Sequence, residues 1–158
     1  MSLRLRAMQP GDEATVARLW HDAWWDGHGE IVPECLLRHR HLGSFVERAP
    51  DILGRASVAV QDGAVVGFVA WQGDELEDMF VAREARGGGV AALLMAHGET
   101  ALREMGATRA WLYCCVGNER AHRFYTKSGW REVGRDIDSI QTPEGDVDVA
   151  VHRFEKAL

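Results

Sequence analysis

The sequence predicts an α/β fold, and two observations lead to that prediction. Strand-like and helix-like periodicities alternate along the 158 residues. A glycine-rich turn at residues 86–91 also lies between a strand-like segment and an apolar-striped helical segment, an order typical of phosphate-binding sites in α/β proteins. With 46% hydrophobic residues, the chain can build a substantial core, and we expect residues 1–158 to form one domain.

The predicted elements follow from turn residues and periodicity, in the order β-α-α-β-β-β-α-β-α-β-β. Asp62-Gly63 is a good hairpin turn, and Gly106 ends a helix. The strands are predicted at residues 3–7, 57–61, 64–71, 75–81, 111–116, 130–140 and 146–154. The helices are predicted at about 13–25, from near Pro33 through Val46 with Gly43 as the point where it could divide, at 88–105 and at 119–128.

Composition excludes several classes of protein. The net charge of −6 argues against a nucleic-acid partner, and no apolar run reaches membrane-spanning length. Cys114 and Cys115 are adjacent on a predicted strand, so their side chains should point to opposite faces and no disulfide framework is indicated. The seven histidines are scattered, which predicts no metal. These features indicate a cytoplasmic protein with no membrane partner.

The glycine-rich turn reads Arg86-Gly87-Gly88-Gly89-Val90-Ala91 and predicts an anion cradle. Its glycines let the backbone approach a ligand, and the helix that follows offers unpaired N–H groups. A Walker loop is excluded, because Val90-Ala91 stands where Lys and Ser or Thr are needed. A dinucleotide fingerprint fits formally through Gly87, Gly89 and Ala92, but it also asks for an acidic residue at the tip of the next strand, which ends in Gly117-Asn118. A turn that merely caps the helix is the third interpretation.

A second motif, residues 118–130, decides among these interpretations. It resembles the signature Asn-x-x-Ala-x-x-Phe-Tyr-x-Lys-x-Gly-Phe of the GNAT superfamily of acetyl-CoA-dependent N-acetyltransferases, with Trp130 in place of the last Phe. The glycine turn is similar to the same family's phosphate loop, Gln/Arg-x-x-Gly-x-Gly/Ala. The residues that match the two motifs are Arg86, Gly89, Ala91, Asn118, Ala121, Phe124, Tyr125, Lys127 and Gly129.

The resemblance implies a mixed central sheet of about seven strands, flanked by about four helices, whose central strands splay apart to admit acetyl-CoA. The pyrophosphate would lie on the loop, the pantetheine arm along the adjacent strand edge and beside Asn118, and the Phe80 N–H would face the thioester oxygen. The residues expected to bind the cofactor are Met79, Phe80, Val81, Arg86, Gly87, Gly88, Gly89, Val90, Ala91, Asn118 and Tyr125.

The same resemblance makes Tyr125 the expected general acid, which protonates the departing thiolate. The candidates for the general base are Glu75 and Glu77. Strand alternation predicts that both share one face with Met79 and Val81, opposite Leu76, Asp78 and Phe80. Glu75 falls where histone-acetylating relatives carry a glutamate. The alternative is that both acids form a solvated face.

The acceptor should be selected by the first helices, which roof the substrate cleft in the family. The expected acceptor-binding residues are Trp24, Trp25, His28 and Tyr113. The leading hypothesis is acetyl transfer by direct attack to a primary amine of a small-molecule or amino-acid-like acceptor. A protein lysine or N-terminal acetyltransferase and a non-catalytic CoA-binding module are the alternatives, and a homodimer is possible.

Overall fold

The computed structural model describes residues 2–158, and its centre is a seven-stranded sheet. The strands are β1 (Leu3–Ala7), β2 (Ala56–Gln61), β3 (Ala64–Gln72), β4 (Glu75–Val81), β5 (Arg109–Cys115), β6 (Arg131–Thr142) and β7 (Gly145–Ala157). Their order across the sheet is β1-β2-β3-β4-β5-β7-β6. Every neighbouring pair is antiparallel except β4 and β5, which are parallel. The predicted mixed sheet of seven strands is confirmed.

Five α-helices flank the sheet, one more than expected. They are α1 (Glu13–His28), α2 (Glu34–Leu37), α3 (Leu42–Arg48), α4 (Val90–Glu104) and α5 (Glu119–Lys127). The extra helix arises because the second helical region divides between Leu37 and Leu42 and not at Gly43, which lies inside α3. In residues 2–158 no helix is both long enough and apolar enough to cross a membrane.

The first helix also runs further than expected, past Gly27 to His28. A glycine inside a helix costs only about 1 kcal/mol relative to alanine, so it need not end one. Here it has a use, because a Cβ on Gly27 would lie 3.2 Å from the Asn118 side chain. The absence of a side chain therefore lets the last turn of α1 approach the start of α5.

The two faces of the sheet bury separate apolar cores. On one face α1, α2 and α3 pack around Trp20, whose ring lies 5.5 Å from Phe45 and 5.3 Å from Phe68. On the other face α4 packs on the strands through Leu94 and Leu102. Cys115 belongs to the first core and Cys114 to the second, and both thiols are free. The predicted opposite orientation of the two cysteines is confirmed.

The sheet opens between β4 and β5. The two strands pair only at Glu75 and Trp111, with the Trp111 N–H donating to the Asp74 carbonyl at 3.2 Å. Beyond that point they diverge, so their carboxyl ends face each other across a gap. The predicted splay of the central strands is confirmed, and it leaves the edges of both strands free for a ligand.

A β-bulge in β4 changes which residues share a face. Ala70 pairs with Asp78 and Trp71 with Leu76, so Glu77 is an extra residue on β4. Such an insertion breaks strand alternation. Met79 contacts the α4 core together with Leu76 and Val81, whereas Phe80 contacts the α1–α3 core. The expected grouping of Glu75 and Glu77 with Met79 and Val81 is therefore wrong, because the bulge moves both glutamates to the side of Asp78 and Phe80.

Candidate active site

Two adjoining cavities lie at the splayed end of the sheet. The cofactor cavity, as we call the larger one, occupies the β4–β5 gap and has a volume of about 510 Å³. The acceptor cavity, with a volume of about 270 Å³, lies between the sheet and α1–α3. Residues that line both cavities mark their junction: Trp24, His28, Arg48, Glu77, Asp78, Tyr113 and Cys115.

The glycine loop forms one end of the cofactor cavity. Gly87 and Gly89 have φ values of +83° and +84°, a region that side chains rarely adopt. Gly89 is the N-cap of α4, and the first helical bond runs from the Leu93 N–H to the Gly89 carbonyl at 3.2 Å. The N–H groups of the first helical turn, residues 90–92, have no partner within the helix and are therefore free to bind an anion. Gly87, Gly89, Val90 and Ala91 line the cavity, whereas Gly88 does not.

Three arginines surround one carboxylate near this loop. Arg86 Nη1 lies 2.6 Å from Asp26 Oδ2, and Arg83 Nη1 lies 3.5 Å from Asp26 Oδ1. The bond to Arg86 holds the pKa of Asp26 below its usual value. Arg120, on the first turn of α5, also lines the cavity, and burial followed by repulsion from Arg86 lowers its pKa. The three arginines thus bring positive charge to the loop; Arg120 was not expected, because only the fold brings it beside Arg86.

The edge of β4 supplies the middle of the cofactor cavity, which Met79, Phe80 and Val81 all line. The Ala82 N–H donates to the Val66 carbonyl of β3 at 2.8 Å. N–H groups alternate between the two edges of a strand, so the Phe80 N–H also points towards β3. The expectation that it faces a thioester oxygen is wrong. Because of the bulge, the N–H groups that face the gap are those of Met79 and Val81.

The α5 segment supplies the two motif side chains. Asn118 lines the cavity and caps α5, its Oδ1 accepting from the Ala121 N–H at 3.4 Å. Tyr125 lines the same cavity, and its ring centre lies 5.7 Å from that of Phe154. Burial, followed by the charges of Cys114 and Asp78, raises the pKa of the Tyr125 hydroxyl. That hydroxyl stays protonated at neutral pH, as a proton donor must.

Cys114 lines the cofactor cavity close to Tyr125 and is the obvious nucleophile to consider. Burial raises its pKa to about 12. A thiol attacks as the thiolate, so Cys114 is inert at neutral pH. The cavity therefore favours direct transfer between two bound molecules over a covalent intermediate on this cysteine.

Three carboxylates from β4 face the acceptor cavity: Glu75, Glu77 and Asp78. Burial, followed by the charges of Glu77 and Asp78, raises the pKa of Glu75 to about 7. Burial also raises the pKa of Asp78 to about 6, against the opposing charge of Arg48. Glu77 is instead paired with Arg55, Oε2 to Nη1, at 3.0 Å. Asp78 was not among the expected site residues, because plain strand alternation assigns it to the opposite face.

The predicted acceptor-binding residues behave differently from one another. Trp24 stacks on His28 with ring centres 5.0 Å apart and planes 11° apart, and both line the junction. The His28 Nδ1 donates to the Trp24 carbonyl at 3.0 Å, and burial lowers the pKa of His28. Tyr113 also lines the junction and donates to Asp136 at 2.7 Å. Trp25 lines neither cavity; its indole N–H donates to the Arg40 carbonyl at 2.6 Å and so anchors the segment between α2 and α3.

One cluster of possible metal ligands lies outside both cavities. Glu132 accepts from His122 at 2.9 Å and from His152 at 2.8 Å, and the ligand atoms lie within 4.8 Å of one another. The sequence separates these residues too widely for a motif, and the fold joins them through α5, β6 and β7. The three groups satisfy one another, and the absence of a metal stays a prediction.

Comparisons with known proteins agree with this geometry. An uncharacterized N-acetyltransferase of Mycobacterium tuberculosis is 34% identical over 92 residues, which cover 55% of this chain and 59% of that protein. The match thus spans less than two thirds of the relative. A GCN5-related N-acetyltransferase from Rhodopseudomonas palustris has a TM-score of 0.79 at 21% identity, covering 100% of this chain and 97% of the other.

A second solved structure is similar over the whole chain. The PaiA N-acetyltransferase from Thermoplasma acidophilum, in complex with coenzyme A, has a TM-score of 0.70 at 17% identity and covers 100% of both chains. At such identities these structures show the fold. The sequence model of the acetyltransferase (GNAT) family matches residues 17–130, well over half of the chain. The protein therefore belongs to the GNAT acetyltransferase family.

Proposed function

We propose that this protein is an acetyl-CoA-dependent N-acetyltransferase that acts on a primary amine of a small-molecule or amino-acid-like acceptor. The observation that carries the proposal is the junction of the two cavities. The free edge of β4 and Tyr125 line the cofactor cavity on one side of it, and the carboxylates Glu75 and Asp78 line the acceptor cavity on the other. Acetyl transfer needs those groups on opposite sides of the reacting carbonyl.

Acetyl-CoA would lie in the cofactor cavity in one direction only. Its pyrophosphate would bind the free N–H groups of residues 90–92 and the positive charge of Arg120, because both lie at the loop end. The pantetheine arm would extend along Met79 and Val81 and pass Asn118 towards Tyr125. The relative from Thermoplasma acidophilum was solved with coenzyme A, which supports the same ligand here.

The reaction would proceed by direct attack of the amine on the thioester carbonyl. A C–N bond forms, and the negative charge on the carbonyl oxygen is stabilised by the N–H of Met79 or Val81. The amine's proton passes to Asp78, directly or through one water. The C–S bond then breaks, and the thiolate takes the proton of the Tyr125 hydroxyl. We assign the base to Asp78 because it lies at the junction, whereas Glu75 lines only the acceptor cavity and Glu77 is held by Arg55.

The test has two parts, acetyl-CoA titration by calorimetry and release of free thiol with a panel of amines. We expect acetyl-CoA to bind in the micromolar range and at least one small amine to release CoA well above the rate without an acceptor. Binding without turnover across the panel would favour a CoA-binding module. Absence of binding would reject the proposal. A cytoplasmic location and a homodimer stay predictions from the sequence.

A further inference from the structure

Within residues 2–158, two arginines of the acceptor cavity form no ion pair with a carboxylate. Arg40 lies between α2 and α3, and Arg48 is the last residue of α3. The one hydrogen bond from the Arg40 side chain goes to the neighbouring His39 carbonyl at 3.2 Å. Among the described residues, Arg40 Nε and Arg48 Nη1 are buried without an acceptor, and neither side chain forms an ion pair. A buried N–H group without an acceptor is costly, so each guanidinium group still has a donor to offer to a ligand.

Aromatic packing, and not a carboxylate, holds both guanidinium groups in position. The Arg48 guanidinium carbon lies 4.3 Å from the Trp20 ring centre, and that of Arg40 lies 5.7 Å from the Trp24 ring centre. The bond from the Trp25 indole also fixes the backbone of Arg40. Cation–π contacts of this kind orient a guanidinium while leaving its N–H groups free. Both arginines are thus arranged before any anion arrives.

The charges of the two side chains repel one another. Burial lowers the pKa of Arg40 to about 10, with repulsion from Arg48 as the next cause. Burial also lowers the pKa of Arg48, against the attraction of Asp78 and Glu77. An anion bound between the two guanidinium groups would relieve both effects. Because guanidinium groups match planar, bidentate anions, a carboxylate suits the pair.

The same cavity also carries the complementary charge. Glu75, Asp78 and Asp138 line it, together with the Arg55-paired Glu77. Apolar residues complete the lining, namely Trp24, Val32, Leu36, Ile140, Val149 and Val151. The acids would hold an ammonium, the arginines an anion and the apolar residues the part between them. A volume of about 270 Å³ suits a molecule of roughly amino-acid size.

We infer that the acceptor is an amine that also carries a carboxylate, with its amine at Asp78 and its carboxylate bound by Arg40 and Arg48. The inference rests on the proposed function and narrows its substrate class. A phosphate could use the same arginines, but a dianion would lie near four carboxylates. The single charge of a carboxylate therefore fits the cavity better.

The test compares matched ligands by calorimetry on protein saturated with CoA. The probes are the free α-amino acids and β-alanine, each paired with its own carboxamide, and phosphoethanolamine. We expect at least one free acid to bind about 10- to 100-fold more tightly than its carboxamide, the range of a hydrogen bond to a charged group. Equal affinities within every pair, no binding by any free acid, or tightest binding by phosphoethanolamine would overturn the inference.

Variants test whether the two arginines cause the tighter binding of a free acid than of its carboxamide. Arg40→Met and Arg48→Met keep length and apolar contact but remove the charge, and each should reduce the preference for the acid over its carboxamide by about tenfold or more. Arg38→Met is the matched control, because Arg38 is exposed, is two residues from Arg40 and lines neither cavity. Thermal unfolding checks that the variants fold. Retention of the full preference in both cavity variants would reject the assignment, whereas failure of acetyl-CoA to bind wild type would count against the proposed function instead.

Discussion

The two cavities are built from different parts of the chain. The cofactor cavity uses main chain at two places, the loop at Gly87 and Gly89 and the free edge of β4 at Met79 and Val81. The acceptor cavity is formed by side chains from α1, the α2–α3 segment, β4, β5, β6 and β7. A main-chain site depends on backbone conformation, which a short motif can specify. A side-chain site depends on which distant residues the fold brings together.

The difference should also appear in how the two cavities respond to substitution. Bulk or negative charge at the loop would occupy the place proposed for the pyrophosphate, so changes there should act on cofactor affinity. The acceptor cavity holds buried charges that serve chemistry, so its changes should act on turnover, on pH dependence and on stability. Four predictions test this contrast, from the largest expected effect to the smallest.

Gly89→Asp should abolish measurable acetyl-CoA binding. The residue has a φ of +84° and caps α4, and the new carboxylate would lie where the pyrophosphate binds. The control is Gly106→Asp, at the other end of α4, where φ is +94°. It imposes similar backbone strain far from the loop and should keep cofactor affinity. Calorimetric titration would contradict the prediction if the two variants bound acetyl-CoA equally well.

Tyr125→Phe should lower kcat about a hundredfold and leave acetyl-CoA affinity nearly unchanged, because it removes the proton donor but keeps the packed ring. Tyr113→Phe is a matched control, since Tyr113 is the only other tyrosine of the sequence and its hydroxyl donates to Asp136. That variant should lose much less activity. Normal turnover in Tyr125→Phe would mean that water or another group protonates the thiolate.

Turnover at saturating acceptor should fall as the pH decreases through about 6, the pKa of Asp78, because the base must be ionised to accept a proton. If Glu75 is the base, the fall should instead centre near pH 7. Asp78→Asn should lower turnover by about tenfold or more near neutral pH and recover as rising pH deprotonates the amine. Glu77→Gln is the neighbouring control. If Asp78→Asn kept the wild-type dependence of turnover on pH, Asp78 would not be the general base.

Glu75→Gln should raise the melting temperature at pH 8 by a few degrees and have little effect at about pH 5. The pKa of Glu75 is raised from 4.5 to about 7 in the folded protein, so the folded state binds the proton more tightly than the unfolded state. Stability from this group is then present at low pH and lost as the pH rises through 7. Glu77→Gln should show no such gain, because it breaks the pair with Arg55. A lower melting temperature in Glu75→Gln at pH 8 would contradict the sign.

The sequence predicted most of the fold and several residues that line each of the two cavities. The seven strands and the loop could be recognised because alternation, turn residues and glycines act locally. The roles of Arg40, Arg48 and Asp78 could not, since they depend on packing between distant elements and on one bulge. Trp25 illustrates the limit, because an aromatic residue beside Trp24 could have lined the cavity, yet helical geometry turns it towards Arg40.

The extra residue at Glu77 has a consequence for how the strand could change over time. Before the bulge the odd-numbered residue Glu75 faces the acceptor cavity, and after it the even-numbered residues Asp78 and Phe80 are on that side, so the two halves of β4 follow different alternation. Deleting Glu77 would restore plain alternation without reversing any side chain: Glu75 would stay on the face of Asp78, and Leu76 on the face of Met79. Point substitutions can tune either half of β4 separately. Loss of one residue at this position would remove the bulge and leave the side chains of both halves on their present faces.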